Sequence, residues 1–383
     1  MRPDTGRSLA EDVALAAATW APQPRQHLLE PFLSAEQLVN SCRKHFSQQV
    51  MSKARKIVIA SLFTGEPKVD NFRIEEEELP ALQDGQILCE AEYISVDPYQ
   101  RAYTHKHKVG ATMIGSQVAR IVESKSPQFA VGTYVVGSWG WRNRTVVNVA
   151  AKGDDVQPLM PVPDIGDLPL SLSLGVLGMP GATAYFGLLD ICHPKPGEVV
   201  VVSGAAGAVG SIVGQIARIK GCKVIGIAGS DAKVKWLKEE LGFHHAFNYK
   251  TVSVDEAIKE AAPDGVDVYF DNVGGEQSDE VIRNMRHRGR ISVCGCISTY
   301  NATKVPMAPV IQMHLIRSEL KMEGFIVARW LDQWDKAFKE MAPWIKEGKL
   351  KYRETVTEGF EKTPQAFINM LRGENVGKAV VKV

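Results

Sequence analysis

Hydrophobic and polar positions fall into two rhythms along this chain. From Lys56 to about Val149, short apolar or alternating runs are separated by Gly, Pro and Asp. Lys56–Leu62, Gln86–Val96, Ser116–Ser124 and Thr133–Gly137 read as strands, and Gly85, Gly110, Gly115, Gly132, Gly137 and Gly140 supply the turns between them. This predicts a β-rich barrel or sandwich. From Gly197 the rhythm becomes strand, helix, strand. Glu198-Val-Val-Val-Val-Ser203 is a continuous apolar run, suited to a strand covered on both faces. A helix over Val209–Lys220, a strand over Lys223–Ala228 and a charged helix over Asp231–Glu240 follow. Further strands are predicted at Val266–Asp271, Arg290–Gly295 and Lys321–Val327. Such alternation makes an α/β fold with a doubly wound parallel sheet. The tail from Trp344 holds an amphipathic helix (Pro364–Leu371) and a final strand (Gly377–Val383), which should return to the β-rich part.

Residues 1–50 follow neither rhythm. An alanine-rich stretch (Ala10–Ala21) gives way to proline-flanked breaks and a polar segment, with no secretory h-region. Asp4, Glu11, Asp12, Glu30 and Glu36 argue against a mitochondrial presequence, and Met51-Ser-Lys-Ala-Arg-Lys56 reads like a second beginning. The expected organisation is therefore a poorly specified extension at 1–50, a β-rich substrate domain from 51–178 with 344–383, and a dinucleotide-binding domain at 179–343.

Composition narrows the partners. Across 383 residues, 45 Lys plus Arg face 44 Asp plus Glu, a net charge of +1. Neither nucleic acid nor an anionic membrane finds an electrostatic excess to bind. No apolar run approaches the roughly 20 residues that span a bilayer, so no membrane insertion is expected. The six cysteines, Cys42, Cys89, Cys192, Cys222, Cys294 and Cys296, show no C-x2-C spacing. Reduced thiols in a cytoplasmic protein are the expectation.

The strongest chemical signal is Ser203-Gly-Ala-Ala-Gly-Ala-Val-Gly210, lying between a strand and a helix. Against the G-x-G-x-x-G fingerprint it has Ala205 at the first glycine, while Gly207 admits a pyrophosphate and Gly210 lets helix and strand pack closely. The next strand ends in Ala228-Gly-Ser-Asp-Ala-Lys233. Gly229 and Ser230 leave room for a 2′-phosphate that Lys233 can neutralise, which favours NADPH; Asp231 argues the other way, but a helix N-cap is its plain structural job. Zinc alcohol dehydrogenases share this two-part order. Yet where a catalytic Cys would fall the chain reads Ser95-Val-Asp-Pro-Tyr-Gln-Arg101, and where Gly-His-Glu would fall it reads Gly115-Ser-Gln-Val118. His105 and His107 read as solvated loop residues, so no metal is expected. A metal-free site needs a hydrogen-bond donor for a developing oxyanion. Tyr300, just past a strand on the ligand side of the sheet, is the leading candidate, and Tyr99 in the barrel loop is the second; either can also be a packing residue.

Gly178-Met-Pro-Gly-Ala-Thr-Ala-Tyr-Phe-Gly-Leu-Leu189, Ala205–Gly210, Phe270-Asp-Asn-Val-Gly-Gly275 and Ile297-Ser-Thr-Tyr-Asn301 occur in this order. Together they resemble the prostaglandin-reductase branch of the zinc-independent medium-chain dehydrogenase/reductase family, from about Met51 to Val383. The resemblance implies a Rossmann sheet plus a GroES-like β-rich barrel domain, an NADPH/NADP+ cofactor and a homodimer. The implied activity is reduction of the C=C bond of small-molecule lipid enones and enals, including 15-oxo-prostaglandins at the 13,14 bond and 2-alkenals. Dehydrogenation of the 12-hydroxyl of leukotriene B4 is a second implied activity. By the same resemblance, Gly207, Ala208, Val209 and Gly210 form the pyrophosphate turn, and Lys233 and Tyr249 face the adenosine phosphate. Asn272 lies beneath the cofactor. Cys294, Gly295, Cys296, Ile297, Ser298, Thr299 and Tyr300 form the loop beside the nicotinamide. Phe325, Ile326 and Val327 follow it, and Asn375 reaches in from the tail. The implied catalytic residues are Tyr300 and Tyr99. A quinone oxidoreductase of the same superfamily and a non-catalytic NADPH-binding protein are the alternatives.

Overall fold

The structure is a computed structural model that describes residues 53–150, 159–162 and 165–383. The sequence expectation for 1–50 lies outside the described residues. Fifteen strands build the described part: β1 (Lys53–Ile59), β2 (Phe72–Glu78), β3 (Gln86–Val96), β4 (Gln117–Ser124), β5 (Tyr134–Gly137), β6 (Arg144–Asn148), β7 (Met160–Pro161), β8 (Val199–Val202), β9 (Lys223–Ala228), β10 (His245–Asn248), β11 (Val266–Asp271), β12 (Met285–Val293), β13 (Lys321–Gly324), β14 (Glu354–Glu358) and β15 (Lys378–Lys382). The helices that matter below are α1 (Tyr99–Tyr103), α2 (Met179–Cys192), α3 (Ala208–Ile219), α4 (Asp231–Lys235) and α5 (Trp334–Lys346).

β8 to β13 form a six-stranded sheet in the order β10-β9-β8-β11-β12-β13, every neighbour parallel. Val200, Val201 and Val202 of β8 are fully buried, as a strand covered on both faces requires. The order reverses between β8 and β11, which makes the crevice beyond their carboxyl ends the topological switch point of a Rossmann sheet. α2 is apolar over most of its surface and correspondingly buried from Pro180 to Leu188. α3 opens at Gly207 and packs on α2 and the sheet.

The second sheet runs β14-β15-β3-β4-β5-β7, with β6 added on β3, and a β1–β2 hairpin lies beside it. This is the GroES-like, β-rich lobe. β15 pairs antiparallel with β3 from Ala379 opposite Val96 to Lys382 opposite Tyr93, so the tail does return to this lobe. Its core gathers Ile57, Ile59, Ile94, Trp141, Phe367 and Val381.

The differences from the sequence reading include three elements. β13 stops at Gly324, because Phe325–Val327 leaves the sheet toward a 3-10 turn over Val327–Gln333. The charged helix after β9 is α-helical only to Lys235 and widens into a π turn over Trp236–Glu240. Helix α5, whose Trp334, Ala337, Phe338, Met341 and Ile345 form one buried face, was not anticipated, and residue 344 falls inside it.

Candidate active site

The turn after β8 owes its shape to close backbone approach. A Cβ on Gly210 would lie 2.4 Å from Gly204 O and 2.8 Å from Ala205 Cα, so only glycine lets α3 start so near the strand. Gly204 takes φ +58, and Gly207 closes the turn by donating its N–H to Gly204 O at 3.0 Å. The first amides of α3, which a helix leaves without intrahelical partners, follow directly on this turn.

The turn after β11 is held by one carboxylate. Asp271 Oδ1 accepts from Ser203 Oγ (3.0 Å), Tyr269 OH (2.8 Å) and the N–H groups of Val273 and Gly274 (2.9 Å each). Asn272 then donates through Nδ2 to Ser203 O at 2.8 Å, which binds this turn to the glycine turn. On it rests the loop after β12: Cys294 and Gly295 donate to Asp271 O, Ile297 to Asn272 O, and Ser298 through both N and Oγ to Val273 O. Thr299 Oγ1 donates to Cys296 O, closing the 3-10 turn Ile297–Thr299.

Tyr300 ends that loop. The Cys296 N–H donates to its hydroxyl oxygen at 3.4 Å, so the hydroxyl accepts one bond from its own loop and keeps its proton to donate. Burial pushes the phenol up to about 12, and the neighbouring thiols and Tyr103 push the same way. Across the cleft, Arg101 of the barrel donates from Nε to Asn301 Oδ1 at 3.0 Å and from Nη2 to Gly65 O at 2.9 Å. The Tyr99 ring meets Tyr103 edge-on with centroids 6.3 Å apart, and Tyr103, which sequence reasoning missed, is a phenol within electrostatic reach of Tyr300. Phe325 packs its ring against Gly187 and Phe270, Val327 is buried and Ile326 is exposed. Burial raises the Cys294 thiol to about 12, whereas Cys296 is exposed.

At the other end of the crevice, Asp231 is already engaged, accepting from Asn248 Nδ2 at 2.8 Å. Ser230 caps α4 by accepting from Lys233 N–H, and the Tyr249 hydroxyl lies 3.2 Å from where a Gly229 Cβ would sit. Lys233 reaches over to donate to Gly373 O at 2.6 Å. Burial lowers its pKa and the like charge of Lys250 lowers it further, so two cations border the same space. Lys250 was missed in the sequence; its only signal is its place directly after Tyr249. Asn375 donates to Gly377 O at 2.8 Å, and Gly377 N–H donates to Ala206 O at 2.8 Å, so the tail crosses the glycine turn.

The sequence-derived cofactor residues from Gly207 to Val327 follow the carboxyl ends of strands of one sheet, Asn375 comes to the glycine turn from the tail, and Tyr99 lies on the barrel turn. The arrangement fits a phosphorylated dinucleotide: a glycine cradle that a side chain would fill, a carboxylate withdrawn into its own hydrogen bond, and two like charges, Lys233 and Lys250, on one corner. Among the described residues no three His, Cys, Asp or Glu side chains group to hold a metal ion, and His105 Nδ1 lies 2.7 Å from Ala102 O.

Residues 55–157 match the family described as the N-terminal domain of oxidoreductase, and residues 208–347 match the one described as zinc-binding dehydrogenase. The chain is 52% identical to prostaglandin reductase 1 of Bos taurus over 336 residues, 87% of this chain and 100% of that protein. It is 38% identical to an NADP(+)-dependent 2-alkenal reductase of Nicotiana tabacum, covering 86% of this chain and 97% of the relative. The crystal structure of CurA from Vibrio vulnificus in complex with NADPH superposes with a TM-score of 0.78 at 37% identity, over 86% of this chain and 99% of that one.

Proposed function

The chain belongs to the prostaglandin-reductase branch of the zinc-independent medium-chain dehydrogenase/reductase family, and from that premise we propose that it reduces the C=C bond of α,β-unsaturated carbonyls with NADPH. The observation that carries this reading is Tyr300: a phenol kept protonated by burial, on a loop seated at the switch point and tied across the cleft to the barrel. NADPH bound in the cradle supplies hydride to the electrophilic β-carbon of the enone. The turn amides from Gly207 to Gly210 hold the pyrophosphate, and Asn272 and the Cys294–Thr299 loop shape the floor beneath the nicotinamide. Lys233 and Tyr249 take the adenosine phosphate, with Phe325, Ile326, Val327 and Asn375 closing the sides. Tyr300 OH donates to the carbonyl oxygen as negative charge gathers there, and solvent protonates the α-carbon. Tyr99 stands on the barrel side of the same cleft as the second donor. The β-rich lobe, residues 51–178 with the tail beyond α5, is the substrate half, and residue 179 to the end of α5 is the cofactor half, since the boundary expected at residue 344 would divide that helix.

15-Oxo-prostaglandins and 2-alkenals are the proposed substrates, and leukotriene B4 oxidation is a second activity of the same site. The free thiols support a cytoplasmic location. A homodimer is proposed through the last strands of the sheet, where β13 is the open edge, together with the apolar segment in which Val305, Met307 and Val310 are 85%, 93% and 76% exposed. The test is NADPH oxidation with a 15-oxo-prostaglandin and a short 2-alkenal, with NADH and a quinone as controls. Turnover of the enones with NADPH is expected, undiminished by a chelator. Reduction of the quinone alone would overturn the substrate assignment, and NADPH binding without any turnover would overturn the enzyme.

A further inference from the structure

β15 begins with a lysine that solvent does not reach. Lys378 is 4% exposed; its Nζ donates to Val96 O at 2.8 Å and Ala379 O at 2.7 Å and lies 3.2 Å from Asp97 Oδ1, a carboxylate equally buried. An ammonium has three protons to place, and here three oxygens meet them. Asp97 is clamped in turn: its Oδ2 accepts from Ser95 Oγ, and its N–H donates to Gln100 Oε1 at 2.9 Å. Gln100 is itself fully buried and donates to Ser95 O and Ile114 O. The clamped turn is the one that leads into Tyr99 and Arg101.

On its other side Lys378 adjoins Gly377, whose N–H donates to Ala206 O and whose backbone pairs with Gly207. Gly377 has φ +68, and a Cβ there would fall 2.0 Å from Arg353 O, so the chain passes this point only as glycine. Apolar packing of Ala379, Val380 and Val381 already holds β15 in its sheet, and a buried charge is not the means a sheet needs for that. Glu354 stands opposite Lys378 in the β14–β15 register, yet the ammonium bonds Asp97, while Glu354 accepts from Ser171 Oγ and keeps Oε1 without a partner. The ammonium is therefore directed toward the barrel turn.

We propose that Lys378 is a positioning residue, whose bond to Asp97 registers the pyrophosphate turn against the barrel turn that carries Tyr99 and Arg101. This rests on the reading that Gly207–Gly210 holds the pyrophosphate. The test uses the full chain with Lys378→Met, held well below its Tm. The NADPH dissociation constant is expected to rise about tenfold, the scale of one charge-assisted hydrogen bond. In hydrogen exchange, the amides of Gly207 and Gly377 should lose protection while those of Val200–Val202 keep it. Asp97→Asn should shift both readouts the same way by a smaller factor, and it stands in if Lys378→Met does not fold. In the pair Lys378→Met with Asp97→Leu, Tm should recover but NADPH affinity should not. Wild-type affinity and protection in a folded single variant, or recovery of both affinity and Tm in the pair, would overturn the proposal. If the unaltered protein fails to bind NADPH, the cofactor reading falls, and exchange at Gly207 and Gly377 still decides the role of Lys378.

Discussion

Tyr300 shows how burial selects the chemistry of a single residue. Its phenol, raised to about 12, stays protonated and can donate through neutral and mildly alkaline pH. The rate should therefore show no loss of this donor on the alkaline side near pH 10, the ordinary phenol value; a fall in kcat centred there would mean that burial is not acting. Tyr300→Phe is expected to lower kcat by roughly 10²–10³, with the NADPH dissociation constant little changed. Single-turnover and binding measurements separate the two. Lys233→Ala should raise KM for NADPH by roughly tenfold or more while leaving KM for NADH nearly unchanged, since the lost partner is a phosphate. Both Lys233 and Asp231 are visible in the sequence as candidates. What the sequence hides is the Asn248–Asp231 bond that takes the carboxylate out of contention, because its partner lies on the next strand.

At the scale of elements, local pattern and local geometry coincide where both are short-range. The valine run of β8 and the glycines after it lie together in the chain and act together in space, so strand, turn and helix were all legible. β13 was read too long because Phe325–Val327 is apolar enough for a strand, while its aromatic ring is drawn away to Phe270 and Gly187. Arg101 and Asn301 could not be paired from the sequence, being 200 residues apart. The glycine turn itself offers a test. Gly210→Ala places a methyl against Gly204 O and Ala205 Cα, which are backbone and cannot step aside. An overpacking loss of about 1–3 kcal/mol in denaturant unfolding is expected, together with loss of NADPH binding.

For the whole molecule, the consequential charges are the few that are buried. Most ion pairs are exposed, such as Lys339–Asp335 and Arg288–Glu319, and contribute little. Glu354 is different. Burial raises its carboxyl above the ordinary 4.5, against the smaller opposing effects of Ser171 and Lys378. A raised acid favours the folded state most fully below its unfolded value, and that stabilisation is lost as the pH rises through the folded one. Glu354→Gln should therefore raise Tm at neutral pH, with the gain shrinking as the pH falls toward 4.5, as scanning calorimetry across that range would register. The return of the tail to the first lobe also has a meaning for biosynthesis. A ribosome delivers β3 and its Asp97 long before it delivers β15. Until residue 378 emerges, the nascent lobe holds a carboxylate with no cation to meet it, and the glycine turn has no cover. A chain cut short of β15 thus lacks both the partner of Asp97 and the strand that covers the glycine turn.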